Sequence, residues 1–271
     1  MKESKNPGKW VLIGLCAAFI LLFLLLPLVF VLVQAFKDGL AHYLANISDP
    51  YAIKALGLTL KTTAVAVAVN TVFGLAAAWT VTKFSFRGKK VLTTFIDLPL
   101  SISPVIAGLI YILTFGRSSP IYGFLMAHDM AIVYAVPGVM LATIFTTLPY
   151  ISRELIPVLS QQGTAEEEAA ALMGASGFTI FRRITFPHIK WPLLYGVVLC
   201  SARAMGEFGA VSILSGHLRG KTNTLPLHIE ILYNEFHYSE AFAVSSLLVF
   251  LAVIILILRS VIEYKGKKKE T

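Results

Sequence analysis

The sequence has few charged residues and few cysteines. Aspartate, glutamate, lysine and arginine make up 14% of its 271 residues, and there are 2 cysteines. Two cysteines are too few for a disulfide framework, and we expect Cys16 and Cys200 to pack as small apolar side chains. With 56% hydrophobic residues and a mean hydropathy of +0.76, the composition excludes a soluble domain and predicts an integral membrane protein.

Motifs of enzymatic chemistry are also missing. The sequence has no HExxH, and its histidines are not grouped with carboxylates at metal-ligand spacing. They are His42, His128, His188, His217, His228 and His237. We interpret His228 and His237, which flank Glu230 and Glu235, as part of a solvated polar loop. The sequence therefore predicts no catalytic residue, no metal site and no cofactor.

One segment comes near to a phosphate-binding P-loop. Gly216 and Gly220 precede Lys221 and Thr222, but three residues separate the two glycines where the motif requires four. The segment also follows no predicted strand. We therefore expect this chain not to be an enzyme, and any ATP hydrolysis to come from a partner protein.

Long uncharged runs are what the sequence does contain. A helix needs about 20 apolar residues to cross a bilayer, and runs of that length favour helices over the short alternating strands of a barrel. The predicted spans are residues 10–36, 62–82, 98–115, 130–152, 191–218 and 241–258. The first run is too long for a signal-peptide core and should remain as an anchor. The fold class is therefore an all-α membrane protein with six transmembrane helices.

The basic residues predict the orientation. With the amino terminus inside, most lysines and arginines fall on the cytoplasmic side, as short cytoplasmic loops require. Both termini are then cytoplasmic. The basic tail, residues 260–271, should meet anionic lipid headgroups, so the formal charge of +8 does not indicate a nucleic-acid partner.

The long inner loop, about residues 163–190, is polar and patterned. Thr164 followed by Glu167 predicts a capping box at the start of a short helix, and the glutamates at 166–168 place negative charge at its positive end. Leu172 and Met173 give this helix an apolar tip, and Gly174 and Gly177 are its predicted stopping points. The helix has the form of a docking surface for a cytoplasmic protein. A solvated hairpin without a partner is the alternative.

A second short amphipathic helix is predicted in the same loop. It passes through Phe178, Phe181 and Ile184 and returns the chain to the membrane before Pro187. The two helices together would form a hairpin at the membrane surface.

This loop resembles a known element. Its motif positions have the spacing EAA, three residues, G, nine residues, I, one residue, L, P, with Phe186 in place of leucine, and they are Glu168, Ala169, Ala170, Gly174, Ile184 and Pro187. The pattern is similar to the EAA loop of binding-protein-dependent ABC importer permeases. In that family the loop couples the permease to the ATPase, so the resemblance implies that these residues are the ATPase-coupling site.

The similarity extends over nearly the whole chain. PLSISPVIAGLIY, ARAMGEFGAVSILSG and TLPLHIE resemble segments of the permeases of oxyanion importers, above all those for sulfate and thiosulfate. The resemblance implies the type I ABC importer permease (MetI-like) fold over residues 57–259, with residues 1–56 added before it. It also implies a bacterial inner membrane location, alternating access, and three partners: a sister permease in a heterodimer, a cytoplasmic ABC ATPase dimer and a periplasmic sulfate/thiosulfate-binding protein.

Other readings of the function stay open. Molybdate and tungstate permeases of the same family share these motifs, so the substrate could be either of these oxyanions. A stand-alone secondary anion transporter is the remaining alternative, although one long inner loop does not suit the inverted repeats expected of such a protein.

Two charged residues in the fifth span are candidates for the translocation pathway. Arg203 and Glu207 are four residues apart and share a helix face, so we expect an ion pair that offsets the cost of charge inside a membrane. The pair is either a clasp between helices or a contact for the transported anion.

Breaks in two spans give the other pathway candidates. Pro99 and Pro104 interrupt the third span, where Ser101 and Ser103 could line a polar channel. Glycines 206 and 209 permit a local break in the fifth span, with Phe208 as an apolar gate. Kinked packing without solute contact is equally compatible with the prolines, and small residues at 74 and 78 predict close helix packing.

Overall fold

The computed structural model describes residues 7–270 and the side chains of residues 8–266. This part of the chain consists of helices and loops without strands. The helices are α1 (Pro7–Ile20), α2 (Leu26–Ala35), α3 (Leu40–Ile47), α4 (Pro50–Lys83), α5 (Lys89–Ser101), α6 (Pro104–Phe115), α7 (Tyr122–Ala127), α8 (Val136–Thr147), α9 (Pro149–Gln162), α10 (Ala165–Leu172), α11 (Gly177–Ile180), α12 (Phe186–Met205), α13 (Gly209–Ser215), α14 (Leu225–Asn234) and α15 (Tyr238–Glu270). Some residues of the orientation argument lie outside the description: Lys2, Lys5, and the side chains of Lys267, Lys268 and Lys269.

Six stretches of the described residues fit membrane spans. Four helical stretches are long and apolar enough, namely Gly8–Ala35, Pro50–Lys83, Val136–Gln162 and Tyr238–Gly266. Two bent pairs complete the set: α5 with α6, bent by 107°, and Gly177–Met205 with α13, bent by 50°. Counting each pair as one span gives the six predicted from the sequence, and the chain is a multi-pass membrane protein.

The second and third spans begin earlier than the hydropathy indicated. The second begins at Pro50 instead of residue 62, because the Asp49 carboxylate accepts hydrogen bonds from the backbone N–H of Tyr51 (2.8 Å) and of Ala52 (3.1 Å) and so caps the helix. The third begins at Lys89, and its interruption is a full bend between α5 and α6. Polar helix ends extend beyond the apolar runs.

The fourth span is displaced along the chain from its predicted position. It runs from Val136 to Gln162, whereas the sequence predicted residues 130–152. Residues 130–135 are not helical; the Tyr134 backbone has a φ of +58°, and its N–H donates to the carbonyl of Leu214 at 2.9 Å. The segment is therefore held as a loop against α13. Arg153, which follows the predicted span 130–152, lies inside α9 as a consequence.

The first span lies at the periphery of the molecule. Of the span Gly8–Ala35, only Ala35 at its end is buried by the rest of the chain. Its outer end meets α15, where Phe30 packs edge-on against Phe242 with ring centroids 5.9 Å apart. Beyond it, the Tyr43 hydroxyl is 2.9 Å from the Ser246 hydroxyl in a buried hydrogen bond. The long exposed apolar surface is the one that a bilayer or another membrane helix would cover.

The centre of the molecule is the packing of α4, α9 and α12. A Cβ on Gly74 would lie 2.9 Å from Cβ of Ile151, and a Cβ on Gly196 would lie 3.2 Å from Cα of Ile151. These glycines let the three backbones approach closely, as small residues do in membrane bundles. The Asn70 amide of α4 joins α8 to this centre, because it donates to the carbonyl of Ile144 (3.1 Å) and the hydroxyl of Thr147 (2.8 Å). The predicted packing role of Gly74 is confirmed.

Substituting Gly74 should destabilise this centre. In Gly74→Ala the new methyl group meets a branched side-chain carbon and the backbone of Ser152, so we expect a loss of about 1–3 kcal/mol, as for other overpacked cores. Gly57→Ala on the same helix meets nothing within 4 Å and is the matched control. Thermal unfolding of the detergent-purified chain measures both; equal midpoints for the two variants would contradict the packing role.

Candidate functional site

The inner loop contains the short helix that the sequence predicted. It is α10, Ala165–Leu172, with three glutamates in its first turn. The predicted capping box is wrong, because the side chain of Thr164 makes no capping hydrogen bond. Glu167 turns instead toward Lys83 and Thr185, which its carboxylate contacts at 2.9 Å and 2.6 Å. The negative charge at the helix start remains favourable for the helix dipole.

The end of α10 is set by Gly174, as predicted. Its backbone has a φ of +84°, which only glycine adopts at little cost. The Gly174 N–H donates to the carbonyl of Ala171 (2.9 Å), and the Ala175 N–H donates to that of Ala170 (3.0 Å). This pair of hydrogen bonds is a Schellman motif, which closes the helix and turns the chain back toward the membrane.

The second predicted helix of the loop is not a separate element. Ser176 accepts from the Thr179 N–H at 3.4 Å and caps α11, so Gly177 begins a helix where a stop was predicted. From there α11, the π-helical segment Phe181–Thr185 and α12 are continuous to Met205. The wider turn, in which the Phe186 N–H reaches the carbonyl of Phe181, precedes Pro187, which has no N–H to donate. The helix of the fifth span therefore begins within the loop, at Gly177.

The tip of the loop is apolar and exposed. Leu172 is 91% exposed, Met173 82% and Phe178 73%. Among the predicted coupling residues, Glu168, Ala169, Gly174 and Pro187 are exposed, Ile184 is partly buried and Ala170 is buried. Exposed large apolar side chains beside small ones indicate a surface that another protein covers.

The two broken spans meet at their breaks. A Cβ on Gly209 would lie 2.9 Å from Cβ of Pro104, and one on Gly108 would lie 2.8 Å from the carbonyl oxygen of Ala210. The bend between α5 and α6 therefore packs against the break between α12 and α13, which the sequence predicted near glycines 206 and 209. Ser101 and Ser103, at the bend, are both exposed.

The predicted ion pair of the fifth span is confirmed. Nη1 of Arg203 lies 2.8 Å from Oε2 of Glu207, whose side chain is 1% exposed, against 31% for Arg203. Oε1 of Glu207 accepts from the Ala210 N–H at 3.0 Å and so also caps α13, a role that the sequence analysis missed. Phe208, between the two helices, is partly exposed. Glu207 thus holds the break in shape through both of its oxygens.

Another ion pair was missed because its partners are distant in sequence. Nε of Arg153 in α9 lies 3.1 Å from Oδ1 of Asp97 in α5, and both side chains are substantially exposed. No local spacing in the sequence indicates this pairing, since the two residues lie on different spans. The pair connects the first helix of the bent third span, α5, to the fourth span.

The last outer loop is more ordered than predicted. It contains α14, in which His228 is buried, so the solvated-loop interpretation is wrong for this residue. Burial lowers the pKa of His228 and favours its neutral form. His237 is exposed, and its hydrogen bond to Glu240 (2.9 Å) raises its pKa.

Comparison with known proteins decides the family. Residues 70–269 match the family described as "Binding-protein-dependent transport system inner membrane component". The chain belongs to this family. The sulfate transport system permease protein CysW of Escherichia coli (strain K12) is 47% identical over 268 residues, covering 98% of this chain and 91% of that protein. CysW of Synechococcus elongatus is 44% identical over 263 residues, covering 97% and 92%.

More distant relatives agree with the assignment. The sulfate transport system permease protein CysT of Salmonella typhimurium is 34% identical over 255 residues, covering 94% of this chain and 91% of that protein. In the crystal structure of a bacterial ABC transporter involved in the import of alginate, one chain superposes with a TM-score of 0.77 at 19% identity, covering 97% of this chain and 96% of that one. The all-α fold of this family member is therefore that of an ABC importer permease.

Removing the arginine of the buried pair should destabilise the permease. Arg203→Gln leaves Glu207 buried without its counter-charge, so we expect a loss of about 1–3 kcal/mol, less than for fully buried pairs because Arg203 is partly exposed. Arg182→Gln, on the same continuous helix but exposed, is the control. Thermal unfolding in detergent compares them, and an equally small effect of both variants would argue against the clasp.

Proposed function

We propose that this chain is a permease subunit of an ATP-driven ABC importer that translocates sulfate and thiosulfate. The observation that carries the proposal is its near-full-length similarity, at 47% identity, to a sulfate transport permease. The chain has no ATP site of its own, and a partner ATPase hydrolyses the nucleotide. The exposed apolar tip of α10 supports this division of labour, since it offers a docking surface on the predicted cytoplasmic side.

The complex that we propose contains four kinds of subunit. A sister CysT-type permease forms a heterodimer with this chain, in keeping with the CysT relative in the same family. A cytoplasmic ABC ATPase dimer binds the coupling loop, and a periplasmic sulfate/thiosulfate-binding protein delivers the anion. A related ABC importer, for alginate, has been solved with its periplasmic protein. Both termini lie in the cytoplasm, as the basic residues favour.

The mechanism that follows is alternating access. Closure of the ATPase dimer on ATP moves α10 through Glu168, Ala169, Ala170 and Gly174, with Ile184 and Pro187 in the helix behind it. The fifth span moves with the loop because the helix from Gly177 to Met205 is continuous. The adjoining breaks then rearrange and open the pathway to the outer side. Hydrolysis restores the inward-facing state.

The pathway in this proposal passes the two breaks. Ser101 and Ser103 supply exposed hydroxyl groups at one break, and Phe208 supplies an apolar side chain at the other. Arg203 and Glu207 neutralise each other, so the pathway carries little net charge there and holds a dianion only weakly. Weak attraction suits transport, because capture belongs to the binding protein and the pathway has only to let the anion leave.

We also propose residues 57–259 as the permease core, with residues 1–56 as an added first span and outer loop and residues 260–271 as a basic cytoplasmic tail. Residue 57 lies within α4. The boundary at residue 57 is therefore a functional one, because α4 continues through it without a break.

Uptake of labelled sulfate tests the proposed substrate. The chain and its partner subunits are expressed in cells that lack their own sulfate permease pair. We expect ATP-dependent sulfate uptake that excess thiosulfate blocks and trace molybdate does not. If the cells take up molybdate but not sulfate, the substrate is molybdate. If uptake survives loss of the ATPase, the chain is a stand-alone transporter.

Gly174 tests the coupling loop. Gly174→Asp places a side chain in a backbone conformation of φ +84° and adds a charge beside the docking tip, so we expect sulfate uptake to fall about tenfold or more while the protein stays in the membrane. Gly177→Ala, three residues on, has an ordinary φ and open space and serves as the control. Labelled sulfate uptake measures transport, and immunoblots of membrane fractions measure how much protein is present. If Gly174→Asp takes up sulfate as fast as the wild type, the coupling role is refuted.

A further inference from the structure

Lys83 and Glu167 form an ion pair at the base of α10. Nζ of Lys83, the last residue of α4, lies 2.9 Å from Oε1 of Glu167 and donates to the carbonyl of Gly163 at 2.6 Å. The same Oε1 accepts from the hydroxyl of Thr185 at 2.6 Å. These contacts join the inner end of the second span, both ends of the turn into α10, and the π-helical segment before α12 in one hydrogen-bonded group.

The pair is shielded from water. The side chain of Lys83 is 6% exposed and that of Glu167 13%, and Thr185 is fully buried. The neighbouring glutamates differ: Glu166 is 61% exposed, with only a 3.8 Å contact to His188, and Glu168 is exposed. Of the three acidic residues in the first turn, Glu167 alone points into the protein.

Few other contacts hold α10 in place. The helix has eight residues, and Ala170 is its one buried residue. Glycines with positive φ, Gly163 at +70° and Gly174 at +84°, form the turns on both sides of it. Without the ion pair the helix would be held against the protein mainly by one buried alanine.

We infer that Lys83 and Glu167 are positioning residues that make α10 move as one body with the second and fifth spans. This inference rests on the proposed function and adds the mechanical link between the docking helix and the membrane helices. A displacement of α10 by the ATPase then reaches α4 through Lys83 and α12 through Thr185. Since the pair is buried, it is stiffer than an exposed ion pair, which water and salt weaken.

The test uses the complete importer reconstituted in proteoliposomes, with sulfate uptake and ATP hydrolysis measured in the same preparation. In Lys83→Met and in Glu167→Gln we expect the sulfate transported per ATP hydrolysed to fall about tenfold, within the range of typical coupling free energies, while ATP hydrolysis continues. Glu167→Gln retains the shape and the acceptor for Thr185, so it decides the matter if Lys83→Met does not assemble.

Two further variants separate positioning from simple stability. Glu166→Gln, on the same turn but exposed, should keep the wild-type ratio. The double variant Lys83→Met/Glu167→Met removes both charges, so no unpaired charge is buried; we expect its thermal stability to recover while the transport ratio stays low. A wild-type ratio in Glu167→Gln, or a recovered ratio in the double variant, overturns the inference.

The wild-type preparation tests the proposed function separately. ATP-dependent sulfate uptake by the wild-type complex must be present before any variant is compared. If wild-type uptake does not depend on ATP, the proposed function fails and the inference fails with it. If wild-type uptake depends on ATP and the variants remain fully coupled, only the inference fails.

Discussion

The close approach of Gly74 and Gly196 to Ile151 is the contact on which the rest of this structure depends. It brings the backbones of the second, fourth and fifth spans together at distances that a side chain at Gly74 would prevent and one at Gly196 would make tight. Apolar helices gain little from leaving lipid for one another, so such packing, with the Asn70 hydrogen bonds across it, supplies much of the attraction. Two of these three spans also carry the functional elements at their ends.

Charged residues are placed where they connect helices. Arg203 and Glu207 hold the break in the fifth span, and Lys83 and Glu167 join the second span to α10. Each pair neutralises its own charge, which is what makes a buried carboxylate tolerable next to a membrane. Removing one partner should therefore lower the stability of the folded protein more than removing both. One of the two pairs lies within the fifth span and the other at the end of the second span.

The fifth span combines a long continuous helix with a break, and the third span is broken beside it. The helix of the fifth span runs unbroken from Gly177 to Met205 and then breaks, while the third span bends by 107° beside that break. A rigid segment can transmit a displacement, and a break can convert it into a local rearrangement. One chain of an alginate importer shares this fold at 19% identity, so the helical architecture does not depend on a closely similar sequence.

The sequence by itself determined what depends on neighbours along the chain. Six spans follow from local hydropathy, the end of α10 follows from the conformational freedom of Gly174, and the Arg203–Glu207 pair follows from its spacing of four. Tertiary structure decided the rest. The displaced fourth span depends on the long-range contact of Tyr134 with Leu214, whereas the true start of α4 follows from a local cap, Asp49, that hydropathy does not register. The partner of Glu167 is Lys83, far away in sequence, which overrode the local capping box because a buried counter-charge stabilises a carboxylate more than one exposed backbone N–H does.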